Sequence, residues 1–163
     1  MHVPRAQACC GALYAHAGRL DDGLAKAREL ARALDGYDYI VTNAAGCGSH
    51  LKDHGVPNVV DVSELLTTPR AERHPLPLRV AFQDSCHLRH AQGVSAEPRA
   101  MLDAIPGLER LEPAEQDICC GSAGIYNLTH PDLSVRVLDE KMDRVIATGA
   151  STVIASNPGC TML

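Results

Sequence analysis

Two adjacent cysteines followed by glycine stand at Cys119-Cys120-Gly121, with Cys86 upstream and Cys160 downstream. A shorter copy, Cys9-Cys10-Gly11 followed by Cys47, stands near the other end of the chain. Vicinal thiols suit a packed core poorly, because neighbouring side chains point apart. They suit a metal centre, because one tight turn brings two thiolates to it and glycine supplies the backbone freedom. Cys86, Cys119, Cys120 and Cys160 form a soft donor set of the kind zinc or an iron–sulfur cluster takes. No Cys-x-x-Cys knuckle of the zinc-ribbon type occurs, and wide gaps around a vicinal pair favour a cluster gripped by several loops.

The first set offers only Cys9, Cys10 and Cys47, with His50 three residues on as a candidate fourth ligand or a polar residue at a helix start. His87 follows Cys86 directly and is placed to donate a hydrogen bond to sulfur, whereas His90 reads as a solvated loop residue. Asp84 and Asp117 are either hydrogen-bonding neighbours of the cysteines or exposed loop acids. A Cys86–His87 nucleophilic pair is disfavoured, since sequence neighbours seldom point at each other.

Composition narrows the remaining classes. Seven cysteines is an odd number, and adjacent pairs make strained bridges, so a disulfide framework is not expected and ligation is. A net charge of −5, with no basic stripe and no aromatic platform, argues against nucleic acid as a partner. Aromatics make up 3% of the chain, so the core must be built from Leu, Val, Ile and Ala. The apolar runs are too short for a bilayer span and the N-terminus is no signal peptide, which reads as a cytoplasmic protein. Phosphate-loop, serine-hydrolase and zinc-protease motifs are absent.

The elements that must position these cysteines are helices alternating with short strands. Leu20, Leu24, Ala27, Ala31 and Leu34 mark one helix face that starts near Asp21 and Asp22 and stops at Asp35-Gly36. A strand over 37–42 opens into a small-residue loop, 43–50, that carries Cys47. A second strand covers 59–62, with Ser63 capping a helical turn. Residues 67–77 are polar and proline-containing and read as a linker. A buried strand over 79–83 precedes Cys86, a helix spans 98–105, and a strand spans 108–111. After Gly121 a helix opens at His130-Pro131-Asp132, its inner face including Leu138, Met142, Val145 and Ile146. A strand over 151–156 then leads to Asn157-Pro158-Gly159 and Cys160.

The order Cys-Cys-Gly, helix, strand, small loop, Cys thus occurs twice, with 37 positions from Cys10 to Cys47 and 40 from Cys120 to Cys160. The fold class is α/β: two similar small parallel-sheet units related by internal duplication, with cysteine-bearing loops at strand C-terminal ends. The expected units are 1–73, incomplete at its N-terminus, and 74–163, incomplete at its C-terminus.

Read together, Cys9-Cys10-Gly11-Ala12-Leu13, Ala45-Gly46-Cys47-Gly48-Ser49-His50-Leu51-Lys52, Asp84-Ser85-Cys86-His87, Ile118-Cys119-Cys120-Gly121-Ser122-Ala123-Gly124-Ile125-Tyr126-Asn127 and Asn157-Pro158-Gly159-Cys160 resemble a known family. It is the cysteine-rich domain of the iron–sulfur subunits of glycolate oxidase (glycolate dehydrogenase) and heterodisulfide reductase. The resemblance covers nearly the whole chain. It implies an iron–sulfur cluster, of the 4Fe–4S type, and a role in electron transport rather than in substrate chemistry. It also implies partners: a flavin (FAD) subunit that oxidises glycolate, other iron–sulfur segments, and peripheral association with the inner membrane through the complex.

Several positions depart from the family pattern. His50 and Leu163 stand where a closing cysteine is often found, and neither an upstream cysteine of the first unit nor a ferredoxin-like region is present. The chain is therefore expected to be a fragment, a truncated reading frame or a split subunit, not catalytic alone. Two alternatives stay open: a zinc-binding structural or docking module, and heterodisulfide-reductase-like thiol–disulfide catalysis at a cluster.

Overall fold

Helix α1 (Ala12–His16) follows the first Cys-Cys-Gly turn, and α2 (Leu20–Ala33) packs back against it. Asp21 and Asp22 in the first turn of α2 complement the helix dipole. The computed structural model describes residues 2–67 and 72–163. The buried stripe of α2 is Gly23, Ala27 and Leu30, which join Cys10, Ala12, Ile40, Leu51 and Val59 in one core. Leu20, expected on that stripe, is 49% exposed. The helix is rotated because Gly23 lets its backbone come up against Gly11, where a Cβ would meet Gly11 O at 3.1 Å.

Strand β1 (Ile40–Thr42) begins later than the apolar pattern suggests, leaving Tyr37 and Tyr39 exposed. Helix α3 (Ala45–Asp53) crosses over to β2 (Val59–Asp61), which pairs parallel with β1 in the register Ile40↔Val59. The turn into α4 (Val62–Leu66) is capped by Asp61 rather than Ser63. Asp61 accepts from the Ser63 N–H at 2.9 Å, and Glu64 accepts from the Asp61 N–H at 2.7 Å, a reciprocal capping box. The expected linker falls partly on residues 68–71, outside the described residues.

The second sheet has the order β4-β3-β5, all parallel, from β3 (Arg79–Gln83), β4 (Glu109–Leu111) and β5 (Thr152–Ala155). The central strand is buried on both faces, as Val80, Ala81 and Phe82 show, which is what a parallel sheet covered by helices requires. A π-helical turn (His87–Ala91) and α5 (Ala96–Asp103) connect β3 to β4. Helices α6 (Tyr126–Thr129) and α7 (Pro131–Ala147) lead to β5, and α8 (Pro158–Thr161) follows it. The inner face of α7 also differs from the apolar pattern. Ser134, Lys141 and Val145 are buried, while Ile146 is 68% exposed and Met142 faces outward. Polar anchoring decides this: the Ser134 hydroxyl donates to Gly121 O at 3.0 Å, and Lys141 reaches two further carbonyls.

Two parallel sheets with cysteines beyond their strand C-terminal ends bear out the duplicated α/β architecture. Cys47 and Cys160, however, are the third residues of α3 and α8, so each sits in a helical first turn and not in an extended loop. Their backbone N–H groups bond alike, to Ala44 O at 3.0 Å and Asn157 O at 2.9 Å. The units meet where these helices begin. Ala45 is fully buried with Leu88 and Val94, its N–H donates to Ser156 O, and its carbonyl accepts from Gln92 Nε2 at 2.9 Å.

Candidate metal centre

The second cysteine set is built from the ends of three strands. Cys86 follows β3, Cys119 and Cys120 end the segment after β4, and Cys160 follows β5. The vicinal pair can turn because Gly121 has φ +95°, and a Cβ there would lie 2.6 Å from Ser134 O. The Gly121 N–H donates back to Cys119 Sγ at 3.3 Å. Cys120 is buried and its Sγ donates to Cys160 Sγ at 3.1 Å.

Cys120 and Cys160 meet directly, and the titration of Cys119 is tied to that of its neighbours Cys120 and Cys86. Hydrogen bonds from Cys120 and then from Cys86 hold the Cys119 pKa down to about 2. A hydrogen bond from Cys120 brings Cys160 to about 7 despite its burial, with the Asn157 side-chain N–H adding a donor at 3.7 Å. Cys86 and Cys120, the donors to Cys119, are pushed up from the usual thiol value. Cys119 and Cys160 are therefore the members most ready to act as thiolate ligands.

The first set repeats this arrangement with one sulfur fewer. The Gly11 N–H donates to Cys9 Sγ at 3.4 Å, and a hydrogen bond from Cys10 lowers Cys47 to about 7 while Cys10 itself is raised. Cys10 is buried and Cys9 is exposed. His50 is buried with Nε2 3.4 Å from Gly23 O, and its ring meets His54 edge-on. Burial lowers its pKa.

Around the second set, His87 Nδ1 lies 3.6 Å from Cys86 Sγ, and burial lowers the His87 pKa as well. His16 of the first unit stands edge-on to His87, with ring centroids 5.0 Å apart. Asp84 is buried and accepts from Arg89 at 2.7 Å and from Arg99 at 2.8 and 3.1 Å, while Asp117 and His90 are exposed. Three groups beside the cysteines carry no motif that sequence reasoning could single out: Asn157, Lys141 and Arg99. Asn157 bridges the units, accepting from the Gly46 N–H at 3.3 Å while donating to Cys160. The only sequence signal for it is its place before Pro158-Gly159, and Lys141 is visible only as a charge in the phase of a buried face.

Among the described residues, no group of three or more His, Cys, Asp or Glu side chains is arranged to hold a single metal ion. The second set has a direct sulfur–sulfur contact between Cys120 and Cys160 and is not drawn in around one point. Its donor chemistry still fits a thiolate-bound iron–sulfur group, since four cysteines converge and two are held in the anionic direction.

The profile of the cysteine-rich domain family CCG matches residues 1–52 and 80–163. The chain belongs to this family. Among its relatives is the "Probable glycolate oxidase iron-sulfur subunit" of Bacillus subtilis (strain 168), 37% identical over 98% of this chain and 41% of the relative. A fumarate reductase (CoM/CoB) subunit of Methanothermobacter marburgensis is 38% identical over 98% of this chain and 34% of its own length. The glycolate oxidase iron-sulfur subunit of Escherichia coli (strain K12) is 31% identical over 93% and 43%. This CCG chain thus spans between 34% and 43% of the length of these relatives. No helix among its described residues is long and apolar enough to cross a membrane.

Proposed function

We propose that this CCG chain is the electron-transfer part of a flavin-dependent 2-hydroxy-acid oxidoreductase, with glycolate as the substrate of the assembled complex. Cys86, Cys119, Cys120 and Cys160 hold the principal centre, an iron–sulfur cluster of the 4Fe–4S type. Cys9, Cys10 and Cys47 form the lesser site of the first unit. The observation that carries this reading is the meeting of four cysteines from three strand ends, with Cys120 Sγ donating to Cys160 Sγ at 3.1 Å. The names of the relatives support the same class of centre. His50 has its Nε2 turned to Gly23 O, which supports a positioning role for it over ligation.

The units are taken as 1–73 and 74–163. A bound cluster supplies one-electron transfer. The chain's own residues fix the sulfurs: Gly121 N–H and Asn157 Nδ2 donate to them, and burial of Cys120 keeps water away. A flavin (FAD) subunit would take the two electrons and two protons that convert glycolate to glyoxylate, and a cluster held by Cys86, Cys119, Cys120 and Cys160 would supply one-electron transfer onward. Further iron–sulfur segments complete the path. The complex is cytoplasmic and touches the inner membrane peripherally, and nucleic acid is not a partner.

Dye reduction with glycolate tests this reading. The purified chain alone is expected to show no turnover, and activity is expected only with a flavin subunit and the remaining iron–sulfur segments. Loss of Cys86, Cys119, Cys120 or Cys160 should then lower it. Glycolate turnover by the chain alone would overturn the proposal and move the chemistry onto these cysteines.

A further inference from the structure

Lys141 is 2% exposed, in the middle of α7, beneath the second cysteine turn. Its Nζ donates to Gln116 O at 2.8 Å and Ile118 O at 3.0 Å, carbonyls of the segment that enters Cys119. Among the described residues it has no carboxylate partner. The buried acid nearby, Asp84, is taken by Arg89 and Arg99, and Arg99 also binds Gln116 Oε1. Cations therefore outnumber buried carboxylates under this turn. An ammonium placed so is costly to bury unless an anion faces it. The groups that feel its charge are Asp84 first, then the Cys120 sulfur, the exposed Asp117 and the Cys160 sulfur.

The duplication shows that the fold does not require this charge. Gly11 abuts Gly23 O and Gly121 abuts Ser134 O, so Gly23 and Ser134 are equivalent helix positions. Seven residues further along each helix stand Leu30 and Lys141, both buried. The unit with three cysteines has leucine at this place, and the unit with four has a cation.

We propose that Lys141 is the buried counter-charge of the second cysteine set, offsetting the negative charge of a metal–thiolate centre and raising its reduction potential. This rests on the reading that the set holds such a centre. Lys141 is a positioning residue that touches backbone carbonyls and acts on the sulfurs through its charge.

The test compares the wild-type chain with Lys141→Leu, Lys141→Met and Lys141→Arg, each metal-free and after anaerobic reconstitution with iron and sulfide. Lys141→Leu is expected to lower the melting temperature of the loaded protein by more than that of the metal-free protein, where the loss of two carbonyl bonds is offset by removal of a buried charge. In the reconstituted protein it should lose iron to a chelator about tenfold more readily, the scale seen when a metal site loses a supporting neighbour. The reduction potential should move negative, and Lys141→Arg should restore part of it. Lys141→Met guards against a packing defect peculiar to leucine. Equal destabilisation of the metal-free and loaded forms, with the potential unmoved, would overturn the proposal and leave a lysine that only ties carbonyls. If the wild type takes zinc and refuses iron, the electron-transfer reading fails. The counter-charge is then read from zinc affinity, which Lys141→Leu should weaken. A wild type that binds neither metal overturns both.

Discussion

Gly11 and Gly121 hold the same left-handed backbone, at φ +93° and +95°, and a Cβ at either would run into a helix carbonyl, Gly23 O of α2 or Ser134 O of α7. This close approach sets the height of both Cys-Cys turns above α2 and α7. Gly121→Ala combines a disfavoured φ with a Cβ 2.6 Å from Ser134 O, backbone that cannot step aside. It should lower stability in urea denaturation by about 1–3 kcal/mol. Gly55, at φ +73° with open space around its Cα, is the control, and Gly55→Ala should cost less. Equal costs at the two sites would mean that the carbonyl contact is not tight.

Asp84 sits 2% exposed between Arg89 and Arg99, and the Arg99 guanidinium also lies over the Phe82 ring at 5.1 Å. Removing the acid strips both guanidiniums of a buried acceptor, although Arg89 is 39% exposed and Arg99 keeps Glu112. Asp84→Ala should therefore cost about 1–3 kcal/mol in chemical denaturation, the scale of losing hydrogen bonds to a charged group. The exposed pair Arg19–Asp22 marks the contrast, and Asp22→Ala should cost about 1 kcal/mol or less. A loss at Asp84 as small as that at Asp22 would refute the buried network.

Much of this was legible in advance. The Cys-Cys-Gly copies, the helix–strand alternation and strand 79–83 follow from residue types and spacing, and the structure agrees. The inner faces of α2 and α7 do not follow from apolar periodicity. They are set by tertiary contacts, with Gly23 admitting a close backbone approach and Ser134 and Lys141 binding carbonyls. Cys47 and Cys160 read as loop residues because Gly46 and Pro158-Gly159 look like helix breakers. Both helices start with only two residues between them and a strand end, and in α8 proline at N1 costs nothing. Asn157 and Lys141 act across long sequence separations, which no local pattern records.

Acid should destabilise the folded chain through its buried histidines. Burial lowers the His50 pKa below its ordinary 6.5, with His54 and His16 acting in the same direction while Gly23 O and Asp53 oppose them. Between the ordinary value and the lower folded one, the unfolded chain binds the proton and the folded chain does not. Stability therefore falls as pH drops through that window and levels off below the folded pKa. Melting temperatures of the metal-free protein from neutral pH down to pH ~5 should decline, since unperturbed histidine titrates near pH 6.5. His50→Gln should flatten part of the slope, and the remainder belongs partly to His87, whose pKa burial also lowers. An unchanged slope in His50→Gln would contradict the assignment.

The central claim is that the second cysteine set, before the first, holds an iron–sulfur centre. Anaerobic purification with iron, sulfide and zinc analysis and a visible absorption spectrum tests it most directly, on the wild type, Cys120→Ser and Cys47→Ser. The expected wild type is brown, with broad visible absorption that bleaches on chemical reduction. Cys120→Ser should lose most of the iron and colour, and Cys47→Ser should keep most of both. A colourless wild type carrying zinc, or equal loss of iron in the two variants, would contradict the account.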